Sequence, residues 1–127
     1  MKNIIQNVGP FPLSKAILHD EKYILEISGQ IGVEEQTGKL TEGIENQTTQ
    51  VLENIKKILV GVGWDLTNVI KTTVYLSDMN DYVKMNEIYG KYFQENYPTR
   101  TAMAVKELPR GALIEIQCTA SGNDVKK

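Results

Sequence analysis

From Ala112 to Ala120 the chain alternates apolar and polar residues one for one. Ala112, Ile114, Ile116, Cys118 and Ala120 point one way; Leu113, Glu115, Gln117 and Thr119 point the other. A period of two belongs to a half-buried β-strand. Upstream, Leu108-Pro109-Arg110-Gly111 has the chemistry of a turn, proline presetting φ and glycine supplying a left-handed residue. Before it, Pro98-Thr99-Arg100-Thr101 opens another strand. The spacing predicts a hairpin over 97–120, with Arg100 opening its first arm and Glu115 inside its second. With the turn centred near Arg110, Arg100 lies opposite Ala120 and Glu115 opposite Val105, about 16 Å apart along the strands. Acting together on one small ligand would then require a cleft between subunits.

The rest of the chain supplies the layers. Asn3 to Val8 reads as a first strand, ended by Gly9-Pro10-Phe11-Pro12, where two prolines forbid regular structure. Ala16 to Leu18 and Lys22 to Ser28 read as a hairpin across His19-Asp20-Glu21. Ser28-Gly29-Gln30-Ile31-Gly32 follows, with glycines where the backbone can turn sharply or approach a ligand closely. From Thr41, residues Ile44, Val51, Leu52, Ile55, Ile58, Leu59 and Val62 recur at helical spacing, and Gly61 and Gly63 suit a stop. Asn68 to Leu76 is a β-branched strand with Ile70, Val74 and Leu76 on one face and Lys71, Thr73 and Tyr75 on the other. Asp78 to Asp81 caps a second helix over 81–96, with Tyr82, Met85, Tyr89 and Phe93 as its apolar stripe and Asn86 at the stripe's edge. Pro98 stops that helix. The tail beyond Gly122 reads as frayed.

This order, β-β-β-α-β-α-β-β, predicts an α+β fold in one domain over 1–127: a single sheet with both helices on one face. The helices would cover Ile70, Val74, Ile114 and Ile116. The other face, with Lys71, Tyr75, Leu113, Glu115 and Gln117, mixes apolar and polar groups as a subunit interface does. A net charge of −2 exerts no pull on nucleic acid or anionic membrane. No apolar run approaches the length of a membrane span, and one cysteine fits a reducing cytosol.

Phosphate-binding and zinc-protease motifs are absent, and His19 has no companion ligand, so no metal or cofactor is expected. His19 reads as a turn residue and Trp64 as a packing anchor. Cys118 falls on the apolar side of its strand, where a thiol is inert. Arg100 is either an ordinary surface arginine at a strand start or a fork for a carboxylate. Glu115 is either a solvated strand carboxylate or a general acid/base that places a water.

Ser28-Gly29-Gln30-Ile31, Gln47 through Gly63, Val69 through Leu76, Asn86 with Tyr89, Pro98 through Thr101, and Leu108-Pro109 followed by Ile114-Glu115-Ile116 together resemble the Rid family. These are the reactive intermediate deaminases, also called YjgF-type proteins or L-PSP endoribonucleases. The resemblance implies a chorismate-mutase-like subunit and a homotrimeric barrel with clefts between neighbours. It implies hydrolysis of enamines and imines such as 2-aminoacrylate, 2-iminopropanoate and 2-iminobutanoate to 2-keto acids and ammonia, in the cytoplasm and without a cofactor. Arg100 would grip the substrate carboxylate and Glu115 would place the attacking water. Ser28, Gly29, Asn86, Tyr89 and the backbone of Ala102 would line the pocket. The family's N-terminal motif usually carries a pocket tyrosine. Pro12-Leu13-Ser14-Lys15-Ala16 puts Leu13 in its place, whereas Gly9-Pro10-Phe11 would put Phe11 there; the first also matches Ser14 and Ala16. Either choice removes a phenolic hydroxyl, which keeps a non-catalytic ligand-binding or protein-binding trimer as the alternative. The acidic charge and lack of a basic, aromatic stripe argue against a ribonuclease.

Overall fold

A computed structural model describes residues 1–94 and 96–126. Its elements follow the expected order: β1 (Lys2–Gln6), β2 (Ser14–His19), β3 (Tyr23–Ile31), α1 (Gly43–Val60), β4 (Val69–Leu76), α2 (Tyr82–Phe93), β5 (Thr99–Ala104) and β6 (Ile114–Gly122). The strands form one six-stranded sheet in the order β1-β2-β5-β4-β6-β3. Both helices pack on the same face, and the core lies between them and that face. It holds Val51, Leu52, Ile55 and Leu59 of α1, Met85 and Tyr89 of α2, and Val74, Leu76, Ile114, Ile116, Cys118 and Ala120 of the sheet. No helix among the described residues is long and apolar enough to cross a membrane.

Two expected hairpins do not form. β5 and β6 lie on either side of β4, parallel and antiparallel to it respectively. Helix α2 carries the chain from β4 to the parallel β5, as a parallel pair requires. The link after β5 then crosses the end of β4, where Val105 N donates to Leu76 O (2.8 Å) and Ser77 N to Leu113 O (3.1 Å). The turn at Pro109–Gly111 exists, with Arg110 (φ 59°) and Gly111 (φ 69°) both left-handed, but it belongs to this crossing. Likewise β2 pairs with β1, and β3 pairs with β6 at the sheet's far edge. The short Asp20–Lys22 link spans that gap because β2 meets β5 only at Ser14, opposite Thr99, and swings away beyond it. At its far end Glu21 accepts a hydrogen bond from Ser121 (2.7 Å), fastening the link to β6.

Other boundaries moved for identifiable reasons. Ile70 is the extra residue of a bulge between Val69 and Lys71, so the core face of β4 continues with Thr72, Val74 and Leu76 rather than with Ile70. The β1 strand ends at Gln6, short of Val8. α1 begins at Gly43 because Thr41 is tied to Gly32, its N–H (2.9 Å) and hydroxyl (3.1 Å) both donating to that carbonyl. Buried Gln47 of α1 accepts from Leu113 N (2.8 Å) and donates to Thr41 O (2.9 Å), fixing the start of β6 against the helix. α2 ends at Phe93; the expected end at 96 runs through residue 95, which lies outside the described residues. The tail is not frayed through 126: Trp64 Nε1 donates to Asp124 O (2.6 Å) and Lys126 N to Val62 O (3.0 Å). Trp64 is thus the anchor its isolation suggested, and Gly122 packs so close to its ring that a Cβ there would come within 2.8 Å of it.

Candidate active site

Arg100 faces the helices. In the β4 ladder it is opposite Thr72, which is opposite Cys118, and paired residues share a face. Both partners are buried, so the Arg100 side chain runs beneath α2. The helix meets it with Tyr82, Met85, Asn86 and Tyr89, a run at i, i+3, i+4 and i+7 that stacks on one helix face. Nη1 donates to Asn86 Oδ1 (2.6 Å) and approaches the Met85 sulfur (3.8 Å); Nη2 donates to the Tyr82 hydroxyl (3.0 Å). The guanidinium carbon lies 5.0 Å from the Tyr89 ring centre and 5.6 Å from that of Tyr82, within cation–π range. The Tyr89 hydroxyl is itself paired with Thr72 Oγ1 (2.7 Å), and burial pushes its phenol well above the ordinary range, so the ring is a neutral floor.

Arginine has five N–H donors. These contacts leave Nε and one N–H of Nη2 without an acceptor, and Nε is closed off from solvent. Among the described residues no carboxylate comes within ion-pair distance of Arg100. A guanidinium is therefore fixed in place by neutral side chains, with the buried Nε and one Nη2 N–H lacking an acceptor among the described residues. A spare guanidinium N–H is the kind of donor with which arginine takes a carboxylate.

Glu115 lies on the opposite face. It is paired with Tyr75, which is paired with Met103. Beside it, β3 bulges: Ser28 and Gly29 together oppose Gln117 alone, between the Ile27–Cys118 and Gln30–Ile116 pairs. The absent side chain of Gly29 makes room for the Glu115 carboxylate, since a Cβ there would come within 2.0 Å of Oε2. The half-exposed carboxylate has no hydrogen-bond or ion-pair partner among the described residues. It is a free acceptor held in place by shape.

Along β4, Arg100 and Glu115 stand three residues apart, and β4 itself separates their strands. That places them about 10 Å apart along the strands and about 10 Å across them, on opposite faces of the sheet. A single subunit does not bring them together. The separation drawn from the expected hairpin thus persists, although the hairpin does not.

The remaining expected residues divide between the two halves. Asn86 and Tyr89 accompany Arg100; Ser28 and Gly29 accompany Glu115. Ala102 is opposite Val74 on the Arg100 face, in a stretch of β5 that pairs, among the described residues, with β4 alone. Leu13 is half-buried just before β2, whereas Phe11 packs its ring 5.7 Å from Tyr82. The aromatic wall near Arg100 therefore comes from Phe11 and Tyr82. Sequence reasoning placed Tyr82 and Met85 in the core stripe and missed their part in the site; the signal was their helical spacing with Asn86. His19 is the last residue of β2, paired with Lys2, rather than a turn residue; its Nδ1 accepts from Glu21 N (3.2 Å) in the link that follows. Cys118 is buried, and burial together with nearby Glu26 pushes its thiol up to about 12.

A fold of this kind, with an arginine cradled by a crossover helix and a carboxylate on a bulged strand, has close relatives. The profile of the family described as Endoribonuclease L-PSP matches residues 5–121. A RutC family protein of Pyrococcus horikoshii is 48% identical over 120 residues, covering 94% of this chain and 92% of its own. The human 2-iminobutanoate/2-iminopropanoate deaminase is 45% identical over 114 residues, covering 89% of this chain and 80% of its own. Among solved structures, RidA from an Antarctic Psychrobacter superposes with a TM-score of 0.76 at 36% identity, covering 93% of each chain. Escherichia coli TdcF with bound serine superposes with a TM-score of 0.74 at 33% identity, covering 93% of this chain and 92% of its own. The chain belongs to the Rid (YjgF, L-PSP) family.

Proposed function

We propose that this protein hydrolyses small carboxylate-bearing imines and enamines, such as 2-aminoacrylate, 2-iminopropanoate and 2-iminobutanoate, to 2-keto acids and ammonia. The observation that carries the reading is Arg100: pinned by Asn86 and Tyr82, without a carboxylate partner among the described residues, and with a spare N–H on Nη2. Relatives named for imine deamination and a relative solved with bound serine support a ligand that joins a carboxylate to an amine or imine carbon.

In this reading Arg100 fixes the carboxylate and thereby the adjacent imine carbon, converting a bimolecular attack into a positioned one. An enamine first takes a proton at carbon and gives one up from nitrogen to become the imine. Glu115 orients a water and accepts its proton as the oxygen bonds to carbon and the C=N electron pair moves to nitrogen. That proton then passes to nitrogen to give the neutral aminol; the aminol hydroxyl next gives up its own proton, which reaches the nitrogen as the C–N bond breaks, so ammonia leaves and the C=O bond forms. No electrons are exchanged, so no redox partner is required. Because Arg100 and Glu115 face opposite ways, the working site joins Arg100 of one copy to Glu115 of another in a homotrimer. The unpaired edge of β5 beyond Thr99 and the exposed Ile5, Leu18 and Met103 support such an assembly, since a lone subunit gains by covering them. Ribonuclease chemistry is not favoured, given a net charge of −2.

The direct assay generates 2-aminoacrylate with a serine dehydratase, traps it with semicarbazide and follows competing keto-acid release. The wild type should accelerate release, and Arg100→Ala should lose on the order of a hundredfold in kcat/KM with its oligomeric state unchanged. Equal acceleration by Arg100→Ala would overturn the assignment.

A further inference from the structure

We infer that Tyr82 is a positioning residue for Arg100, and that Phe11 acts on the arginine through it; this rests on the reading of Arg100 as the carboxylate site. Tyr82 is the first residue of α2, and its backbone is held by the 3-10 turn of residues 79–81 that runs into the helix, its N–H donating to Met79 O. Two contacts fix its side chain. On one side the Tyr82 hydroxyl accepts from Nη2 (3.0 Å); on the other its ring meets Phe11, tilted at 57° with centroids 5.7 Å apart. Phe11 sits between Pro10 and Pro12, whose rings limit the backbone that presents it.

Asn86 and the Met85 sulfur hold Nη1, and the Tyr89 ring lies against the guanidinium, but none of them binds Nη2. Tyr82, at i, i+4 from Asn86, supplies the hydrogen bond that fixes Nη2. The N-terminal segment, remote in sequence from both helix and strand, thereby controls the aim of the arginine. Removing the hydroxyl while keeping the ring should free the guanidinium, and removing Phe11 should do so only while the hydroxyl is present.

The test compares wild type, Tyr82→Phe, Phe11→Ala and the double variant by two readouts. One is nitrogen-detected NMR of Arg100, which reports rotation about the Nε–Cζ bond without any ligand. The other is affinity for L-serine as a carboxylate probe, together with KM for the imine. In Tyr82→Phe the rotation should quicken and serine affinity fall about tenfold, with KM rising more than kcat falls. Phe11→Ala should shift both in the same direction, and should add little in the Tyr82→Phe background. Unchanged rotation, or freed rotation with unchanged affinity, in Tyr82→Phe overturns the role of Tyr82; additive effects overturn the route through Phe11. If the wild type binds serine and deaminates no imine while Tyr82→Phe frees the guanidinium, the deaminase reading fails and the clamp stands. Should serine not bind at all, the rotation readout decides the clamp alone.

Discussion

Gly29 does more than line a pocket. Its missing side chain is the space in which Glu115 keeps its carboxylate, and a methyl group there would meet Oε2 at 2.0 Å. The atom in the way is the end of a flexible side chain, so the carboxylate can swing aside at small cost to the fold. Gly29→Ala should therefore keep a melting temperature within a few degrees of wild type while losing on the order of tenfold in kcat, because the water is no longer held. A variant with full kcat would show that the position of the carboxylate does not matter. Arg100 is the complementary case. Its place is set by attraction, from two hydrogen bonds and two rings, where that of Glu115 is set by exclusion.

At the scale of elements, the seam between α2 and the sheet determines both the site and part of the stability. Tyr89 of α2 and Cys118 of β6 lie buried along it, and burial raises both of their pKa values. Unfolding returns the thiol from about 12 to its ordinary 9.0. Between these values the unfolded chain releases a proton that the native chain keeps, so raising pH favours unfolding. The contribution of the thiol is complete below pH 9 and is lost toward pH 12. The thermal midpoint of the wild type should fall more steeply from pH 9 to pH 11 than that of Cys118→Ala; parallel slopes would show that the thiol does not titrate as its burial requires.

The elements themselves were legible because each depends on local pattern: alternation in 112–120, the helical stripes of 44–59 and 82–93, and the turn chemistry at 108–111. Strand partners were not. A turn between two strands suggests a hairpin, and nothing local in 97–120 reports that β4 lies between its arms. The bulges at Ser28–Gly29 and Ile70 were equally hidden, since a bulge is a relation between two strands. For the site, Arg100 and Glu115 stood out as charges on strands, and Asn86 by its helical offset. Tyr82 did not, because an aromatic residue at stripe spacing reads as core whether or not its hydroxyl reaches an arginine.

For the whole molecule, the central claim is that one sheet turns its two reactive groups to opposite sides and is completed by other copies of itself. Homo-oligomers closed by rotation place the same two patches at every interface, so in the proposed homotrimer each junction would repeat the Arg100–Glu115 encounter. Arg100→Ala and Glu115→Gln should each be inactive alone. Unfolded together in equal amounts and refolded, they would assemble at random, and roughly a quarter of the junctions should carry both native residues. The account predicts that dehydratase-coupled deamination returns to about that fraction of wild type in the mixture, while each variant refolded by itself stays inactive. Mixed oligomers that form and show no recovery would mean that Arg100 and Glu115 serve within one chain or not together at all, contradicting the shared site.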